Sequence, residues 1–293
     1  MGSLQSSQSL QQIIGTESVR KRFEDMLGNG AASFISSILT VTNSNERLKQ
    51  CTPASILSAA AMAAALRLPI NPALGLAHII PFKSGSHYVA TFSLGAKGYI
   101  QLAMRSSQYK TVNAGPVCEG QVKDIDFLTG EIIRGEKISD KVVGYCAYFE
   151  LLNGFTKSLY MTNEELLEHA KKYSISYQND LKYNKKTSIW TNNFKSMATK
   201  TVLKLLLSKY GIMEIDARST DLVRGLAADQ AAISHDGIMT YVDNHSGTSS
   251  ITGFSEVIGN LEEFEYQDES ENTEDVEEMQ YPTDKQTSED NKN

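Results

Sequence analysis

The chain has 293 residues, of which 41% are hydrophobic and 22% charged, a composition typical of a globular protein with one large or two small domains. No apolar run approaches the ~20 residues that cross a bilayer, and the N-terminus lacks the pattern of a secretory signal, so we expect no membrane contact. Three scattered cysteines (Cys51, Cys118 and Cys146) form no CxxC, which favours reduced thiols in the cytoplasm over a disulfide framework or a zinc site.

The net charge of −7 conceals two oppositely charged parts. Residues 1–230 hold 26 Lys/Arg and 19 Asp/Glu, a balance of +7, whereas residues 231–293 hold 2 and 16, a balance of −14. A basic body is typical of proteins that meet a polyanion. Low hydrophobicity combined with high net charge predicts disorder. We therefore expect a folded binding domain over residues 1–232 and an acidic, disordered tail over residues 233–293.

The first third of the chain is predicted to be mostly helical. Residues 1–15 are rich in Ser and Gln, and we expect them to be loose. Three helical runs follow, at 16–27, 31–41 and 54–67. The third has Thr52 as its N-cap and Pro53 at its first position, a common start signal, and its many small residues predict close packing.

A hairpin and an amphipathic helix are predicted next. LAHIIPF and HYVATFSL are rich in β-branched and aromatic residues and flank turn residues 83–86. After them, Lys97, Gln101 and Arg105 recur at i, i+4 and i+8, so they lie on one helical face. Such a face could bind a polyanion or be an ordinary solvated surface.

The middle of the chain is predicted to be β-rich. Residues 110–118 form a strand in which Pro116 indicates an edge or a bulge. Hairpins are expected at 124–134 and around Asn153-Gly154. A capping box, Thr162 to Glu165, then opens a helix. The fold class is therefore α+β, mostly antiparallel sheet and hairpins packed with helices.

A polar, basic segment at 174–187 precedes a long helix predicted over 188–210, and a last helix is expected at 217–229. One face of the long helix carries the polar residues Asn193, Ser196, Lys200 and Lys204. Around the start of the helix lies a group of lysines and aromatic residues: Tyr177, Lys182, Tyr183, Lys185, Lys186 and Trp190. Lysines beside aromatics suit single-stranded nucleic acid, because phosphates take the charge while bases stack. Each aromatic could instead be buried under a loop.

Catalytic signatures are largely missing. The sequence has no GxxxxGK[ST], HExxH or GxSxG motif, so no cofactor is expected. A Mg²⁺-dependent nuclease would need clustered carboxylates, for which Asp124, Asp126 and Glu131 are the candidates, with Asp180 in a chance-level Asp-Leu-Lys match. These residues leave a nuclease open as an alternative to a binding protein.

Three segments resemble one family in order and spacing: LRLPINPALGLAHIIPF, AKGYIQLAMRS and WTNNFKSMATKTVLKLL. They are similar to motifs of the RecT family of phage and prophage single-strand annealing proteins, over roughly residues 20–225. Lys97 matches the family's basic residue before glycine, and Arg105 matches the second of its paired arginines. The chain departs from the family pattern at Met104, where the first arginine is expected, and at residues 76–78, where Gly-His is expected.

The resemblance implies ATP-independent binding of single-stranded DNA and annealing of complementary strands in phage-type recombination. It also implies a homo-oligomer, either a ring or a helical filament, that works beside a phage exonuclease and the host single-strand-binding protein in the bacterial cytoplasm. Residues 16–41 could serve oligomerisation or pack within the chain. A protein that coats single strands without annealing them is a further alternative.

We expect the DNA, single-stranded or annealed, to bind through its phosphates in a basic groove. The predicted contacts are Lys97, Gln101, Arg105, Lys185, Lys186, Trp190, Asn193, Lys195, Lys200 and Lys204. Neither a catalytic residue nor a metal ligand is predicted.

Overall fold

A computed structural model describes residues 9–84, 87–213, 229, 232–233, 238–240 and 248–250. Its helices are α1 (Leu10–Ile14), α2 (Glu17–Leu27), α3 (Ala31–Asn43), α4 (Pro53–Ala65), α5 (Ala96–Arg105), α6 (Asn163–Tyr173), α7 (Ile175–Tyr183), α8 (Ile189–Asn192) and α9 (Phe194–Tyr210). Its strands are β1 (Ala77–Ser84), β2 (His87–Leu94), β3 (Tyr109–Cys118), β4 (Val122–Ile125), β5 (Ile132–Arg134), β6 (Val142–Leu151), β7 (Thr156–Thr162), β8 (Ala232–Ile233), β9 (Ile238–Thr240) and β10 (Thr248–Ser250). The α+β prediction, with antiparallel sheets packed against helices, is confirmed.

The N-terminal segment is more ordered than its composition predicts. Ser9 and Gln12 form a capping box that opens α1, and Ile13 and Ile14 are buried in the core. The prediction that residues 1–15 are loose is therefore wrong for α1. Two adjacent isoleucines supply the apolar contact that keeps so short a helix in place, since helical stability comes mostly from packing.

Helices α2 and α3 pack within the chain. Gly28 ends α2 with a φ of 56°, a conformation that glycine adopts without steric cost. The rings of Phe23 and Phe34 lie 5.7 Å apart between the two helices, and both side chains are buried. The apolar faces of residues 16–41 are thus covered by the chain itself, and their role in oligomerisation stays a prediction.

Helix α4 runs through the centre of the N-terminal half. The Thr52 side chain accepts a hydrogen bond from the Ser55 amide, and Pro53 occupies the first turn, as predicted. Every residue from Ser55 to Ala64 is buried, which requires packing partners on all sides of the helix. Helix α2 and the β1–β2 hairpin provide them, and the Ala90 amide of β2 donates to Ser55 Oγ at 3.0 Å.

The predicted hairpin and its helix are present. Strands β1 and β2 pair antiparallel from Ala77 opposite Leu94 to Ser84 opposite His87. Helix α5 follows at once, and its start is pressed against the chain that leads into β1. A Cβ on Gly98 would lie 2.2 Å from the Leu76 carbonyl oxygen, so only glycine fits at this position.

A three-stranded antiparallel sheet, in the order β3-β6-β7, forms the second half. Strand β3 is an edge strand, as Pro116 predicts, because its other side has no partner strand among the described residues. Along β6, Tyr145, Ala147 and Phe149 alternate into the core, where α9 covers the sheet. The hairpin β4–β5 and the capping box of Thr162 and Glu165 also lie where they were predicted.

The long helix predicted over 188–210 is two helices. Asn193, with φ −143° and ψ 59°, separates α8 from α9, and its side chain accepts from the Ser196 amide as the N-cap of α9. Segment 174–187, for which no element was predicted, contains α7. Asn184 ends α7 in the left-handed region that Asn tolerates.

The end of the chain is described only in part. Strands β8, β9 and β10 form a small antiparallel sheet, and β8 lies beside α4 and β2. The helix predicted at 217–229, apart from Asp229, and most of the predicted acidic tail lie outside the described residues. Over the described parts of the chain, no helix is both long and apolar enough to span a membrane.

Gly98→Ala should lower the free energy of unfolding by about 1–3 kcal/mol, because its methyl group would force the Leu76 carbonyl away from α5. The measurement is a urea unfolding curve. Gly115→Ala in β3 is the matched control, since nothing lies within 4 Å of its added Cβ. Equal midpoints for the two variants would contradict the close approach of α5 to Leu76.

Candidate nucleic-acid interface

Two of the predicted contacts line the outer face of α5. Lys97 is exposed and Gln101 is half-buried on the same face. Arg105, also half-buried, donates from Nη1 to the Leu66 carbonyl at 2.5 Å and from Nη2 to the Arg67 carbonyl at 2.9 Å. These carbonyls follow the last turn of α4. Arg105 therefore joins the end of α5 to the end of α4, and its guanidinium is partly committed to that contact.

Helices α5 and α9 pack against each other, so the two polar stripes predicted from spacing lie on neighbouring helices. The two lysines of α9 nevertheless point to a common anion inside the protein. The ammonium of Lys200 lies 3.2 Å from Asp229 Oδ1, and that of Lys204 lies 3.0 Å from Asp229 Oδ2. The Lys200 side chain is only 11% exposed, whereas that of Lys204 is 35% exposed.

The Asp229 carboxylate is fully buried and joins three elements. Besides the two lysines of α9, it accepts from the Leu94 amide at the end of β2 at 2.8 Å and from Tyr99 Oη of α5 at 3.0 Å. Burial alone would raise the pKa of Asp229, but Lys200, Lys204 and the Leu94 amide hold it well below its usual range. The carboxylate therefore stays charged and fixes β2, α5 and α9 relative to one another.

Among the described residues at this site, two ammonium groups carry positive charge and the Asp229 carboxylate carries negative charge. His78 of β1 lies close enough for the charges of Lys200 and Asp229 to change its pKa. Burial, then Lys200, lowers the pKa of His78 to about 4, with Asp229 acting in the opposite direction. The imidazole is therefore neutral at pH 7 and adds no charge to the cluster.

The predicted DNA contacts around the start of α9 differ in how far they are exposed to solvent. Trp190 is buried, with its ring 6.0 Å from that of Phe194 and 6.5 Å from that of Tyr177. It has no exposed face on which a base could stack, which matches the alternative of burial noted for it. Asn193 caps α9, and Lys195 is exposed beside it.

Lys185 and Lys186 lie exposed on the loop after α7, and that loop is ordered by Asp180. The buried carboxylate of Asp180 accepts from the amide and hydroxyl of Thr187, the amide of Ser188 and the hydroxyl of Thr191 at 2.6–3.0 Å. Burial would raise the pKa of Asp180, but these hydrogen bonds lower it. The Asp180 carboxylate of the Asp-Leu-Lys match therefore stabilises this loop.

Two of the carboxylates considered for a nuclease, Asp124 and Asp126, bind backbone groups of their own hairpin. Asp126 Oδ1 accepts from the amides of Leu128 and Thr129 and from the Thr129 hydroxyl, which closes the β4–β5 turn. Asp124 accepts from the amide of the next residue. Within the described residues, no group of three or more His, Cys, Asp or Glu side chains could hold a metal ion.

The sequence indicated the two helices but missed the two buried aspartates. Asp229 meets Leu94 and Tyr99, 135 and 130 positions away, and two lysines that are 29 and 25 positions away, so no local pattern reveals it. Asp180 had a local signal, since Thr187, Ser188 and Thr191 follow it within a span that a single loop closes. The structure brings Lys97, Gln101 and Arg105 together on α5 and pairs Lys200 with Lys204 on Asp229. Lys185, Lys186 and Lys195 lie exposed on elements near α8.

These features define an α+β protein with a buried ionic cluster at Asp229 and with exposed lysines on α5, on the loop after α7 and at the start of α9. The RecT family model matches residues 32–238. The uncharacterized protein YqaK of Bacillus subtilis (strain 168) is 44% identical over 214 residues, which cover 72% of this chain and 70% of the relative. Protein RecT of Escherichia coli (strain K12) is 29% identical over 224 residues, 74% of this chain and 75% of that protein.

The chain belongs to the RecT family. Proteins of this family bind single-stranded DNA, form oligomers and anneal strands in recombination, as non-catalytic proteins. The family match ends at residue 238, so most of the acidic tail lies beyond it.

Asp229→Asn should lower the free energy of unfolding by at least about 3 kcal/mol, because it leaves the nearly buried Lys200 ammonium without its carboxylate. Chemical denaturation followed by circular dichroism measures this loss. The control is Asp140→Asn, which breaks an exposed ion pair with Lys137 and should leave the unfolding midpoint unchanged. A midpoint for Asp229→Asn equal to that of the wild type would refute the structural role of the cluster.

Proposed function

We propose that this chain binds single-stranded DNA without ATP and pairs it with a complementary strand, as an oligomer whose basic groove contacts phosphates. The family match over residues 32–238 carries the proposal. It is supported by the positions of the motif segments, since α5 and α9 both bind Asp229, and β2, the partner strand of β1, donates to the same carboxylate. The resemblance also names a phage exonuclease and the host single-strand-binding protein, which we propose as partners.

Annealing requires little of the protein chemically. Complementary strands pair spontaneously once their phosphate repulsion is reduced and their bases are accessible. Contacts to phosphates meet both needs, because they neutralise charge and leave the bases accessible. Such contacts also carry no sequence information. A body with a balance of +7 and no ATP-binding loop in its sequence fits this chemistry.

The α5 face is the proposed centre of the groove. Lys97 is exposed, its aliphatic stem lies over Gly75, and Gln101 follows one turn later. Arg105 fixes the end of this face to α4 and adds positive charge there. Lys204 contributes through its partly exposed side chain, whereas Lys200 serves mainly to balance Asp229. Lys186 and Lys195 remain proposed contacts at the edge of the groove.

Mixing the full-length protein with two complementary labelled oligonucleotides, in the absence of ATP, should shorten the half-time of duplex formation at least tenfold. Fluorescence energy transfer between the labels follows the reaction, and gel electrophoresis checks the strand lengths afterwards. Retarded single strands without faster pairing would indicate a coating protein. Shortened strands in the presence of Mg²⁺ would indicate a nuclease. Either result would overturn the proposal.

Lys97→Ala should weaken binding to all single-stranded sequences alike and reduce the slope of log K against log salt concentration by about 0.7, the value for one phosphate contact. Fluorescence anisotropy at several salt concentrations measures the slope. Lys110→Ala is the control, because Lys110 is an exposed lysine that pairs with Glu150 on the sheet. If both variants keep the wild-type slope, Lys97 does not contact phosphate.

A further inference from the structure

The turn of the β4–β5 hairpin presents two large apolar side chains to solvent. Phe127 is 97% exposed and Leu128 is 81% exposed, the two highest values among the large hydrophobic residues that the structure describes. Single exposed hydrophobic residues are common on protein surfaces, but two adjacent ones at a projecting turn form a compact apolar tip. We call residues 124–131 the hairpin tip.

The hairpin tip is held in a defined conformation. Asp126 accepts three hydrogen bonds from Leu128 and Thr129, which fix the turn from within. From outside, Lys157 Nζ donates to the Thr129 carbonyl at 2.7 Å and Ser158 Oγ donates to the Gly130 carbonyl at 2.9 Å. The tip would therefore lose little conformational entropy when a partner buried Phe127, as is typical of binding hot spots.

The charge of the hairpin tip favours a protein partner over DNA. Residues 124–131 contain Asp124, Asp126 and Glu131 and no Lys or Arg. The three carboxylates of the tip outnumber the Lys157 ammonium group that lies against it, and this excess of negative charge disfavours DNA phosphates. A complementary surface would combine exposed apolar groups with positive charge.

The end of α7 has that combination. Leu181 is 54% exposed and Tyr183 is 47% exposed. The ammonium groups of Lys182 and Lys185 lie 4.9 and 5.6 Å from the centre of the Tyr183 ring, and residues 181–187 contain no Asp or Glu. We call Leu181, Lys182, Tyr183 and Lys185 the α7 end.

We propose that the hairpin tip of one copy of this chain binds the α7 end of a second copy, with Phe127 and Leu128 against Leu181 and Tyr183, and Glu131 facing Lys182. Each copy offers one hairpin tip and one α7 end, so a contact that the same neighbour does not reciprocate is head-to-tail, and its repetition builds a ring or a filament. The inference rests on the proposed assembly of the chain on DNA and supplies the surface for it. It assigns Lys185 to the protein interface and leaves Lys186 to the DNA.

A charge exchange in the full-length chain tests the contact. Glu131→Lys and Lys182→Glu should each raise the concentration needed for half-assembly at least fivefold, and the double variant should return it to within twofold of the wild type. Mass photometry, with the 32.3 kDa monomer as reference, measures assembly with and without oligo-dT. Lys182 lies outside the predicted DNA contacts, so its substitution should leave the salt slope of DNA binding unchanged.

Phe127→Ser should reduce assembly by at least tenfold, whereas Leu152→Ser, at the 66% exposed tip of the β6–β7 hairpin, should not. Both positions are exposed, so the unfolding midpoints should equal that of the wild type. Unchanged assembly of Phe127→Ser and Glu131→Lys would overturn the proposal. Failure of the double variant to recover would overturn the α7 end as the receptor.

Two further outcomes separate this contact from the annealing function. If Phe127→Ser lowers the affinity of the monomer for oligo-dT, the tip contacts bases and the proposed protein contact is wrong. If the wild type assembles and the charge exchange restores assembly, but duplex formation is not accelerated, the interface stands and the annealing function fails.

Discussion

The buried carboxylate of Asp229 is the interaction on which the relative positions of β2, α5 and α9 depend. A single aspartate binds the end of β2, the hydroxyl of Tyr99 in α5 and two lysines one turn apart on α9. Burying a carboxylate costs several kcal/mol unless charge and hydrogen bonds offset the loss of water. Here two ammonium groups and an amide do so, and the result is a fixed angle between the two helices proposed to face DNA.

The same cluster changes the meaning of the motif lysines. Spacing alone places Lys200 and Lys204 on one face of α9, where either a phosphate or a carboxylate could bind them. In the structure both lysines bind the internal carboxylate of Asp229, and the side chain of Lys204 is the more exposed of the two. The exposed charge proposed for DNA therefore lies chiefly on Lys97, Lys186 and Lys195.

Much of the fold follows from local signals. Both hairpins with strong turn sequences, the capping box at Thr162, the Thr52-Pro53 start of α4 and the edge strand marked by Pro116 are all in place. Each of these signals is a short sequence pattern, and the residues that interact through it are close together in the sequence. Gly98 is different, because the need for glycine at this position is visible only in the folded chain, where the Leu76 carbonyl leaves no room for a side chain.

The features that the sequence did not reveal depend on contacts between distant segments. The break at Asn193 splits a continuous helical pattern: its side chain caps α9 locally, and Trp190 just before it packs against the more distant rings of His169 and Tyr177. Helix α1 forms because Ile13 and Ile14 reach the core. The partners of Asp229 are separated from it by 25 to 136 residues, a range over which periodicity carries no information.

Covalent footprinting of lysines tests most directly whether DNA runs along the exposed face of α5 while Asp229 keeps Lys200 inside. The protein would be acetylated with and without single-stranded DNA, and each lysine quantified by mass spectrometry. We expect DNA to protect Lys97 and Lys195, and Lys200 to react slowly in both samples. Unchanged reactivity of Lys97, or a reactive Lys200 that DNA protects, would contradict this expectation.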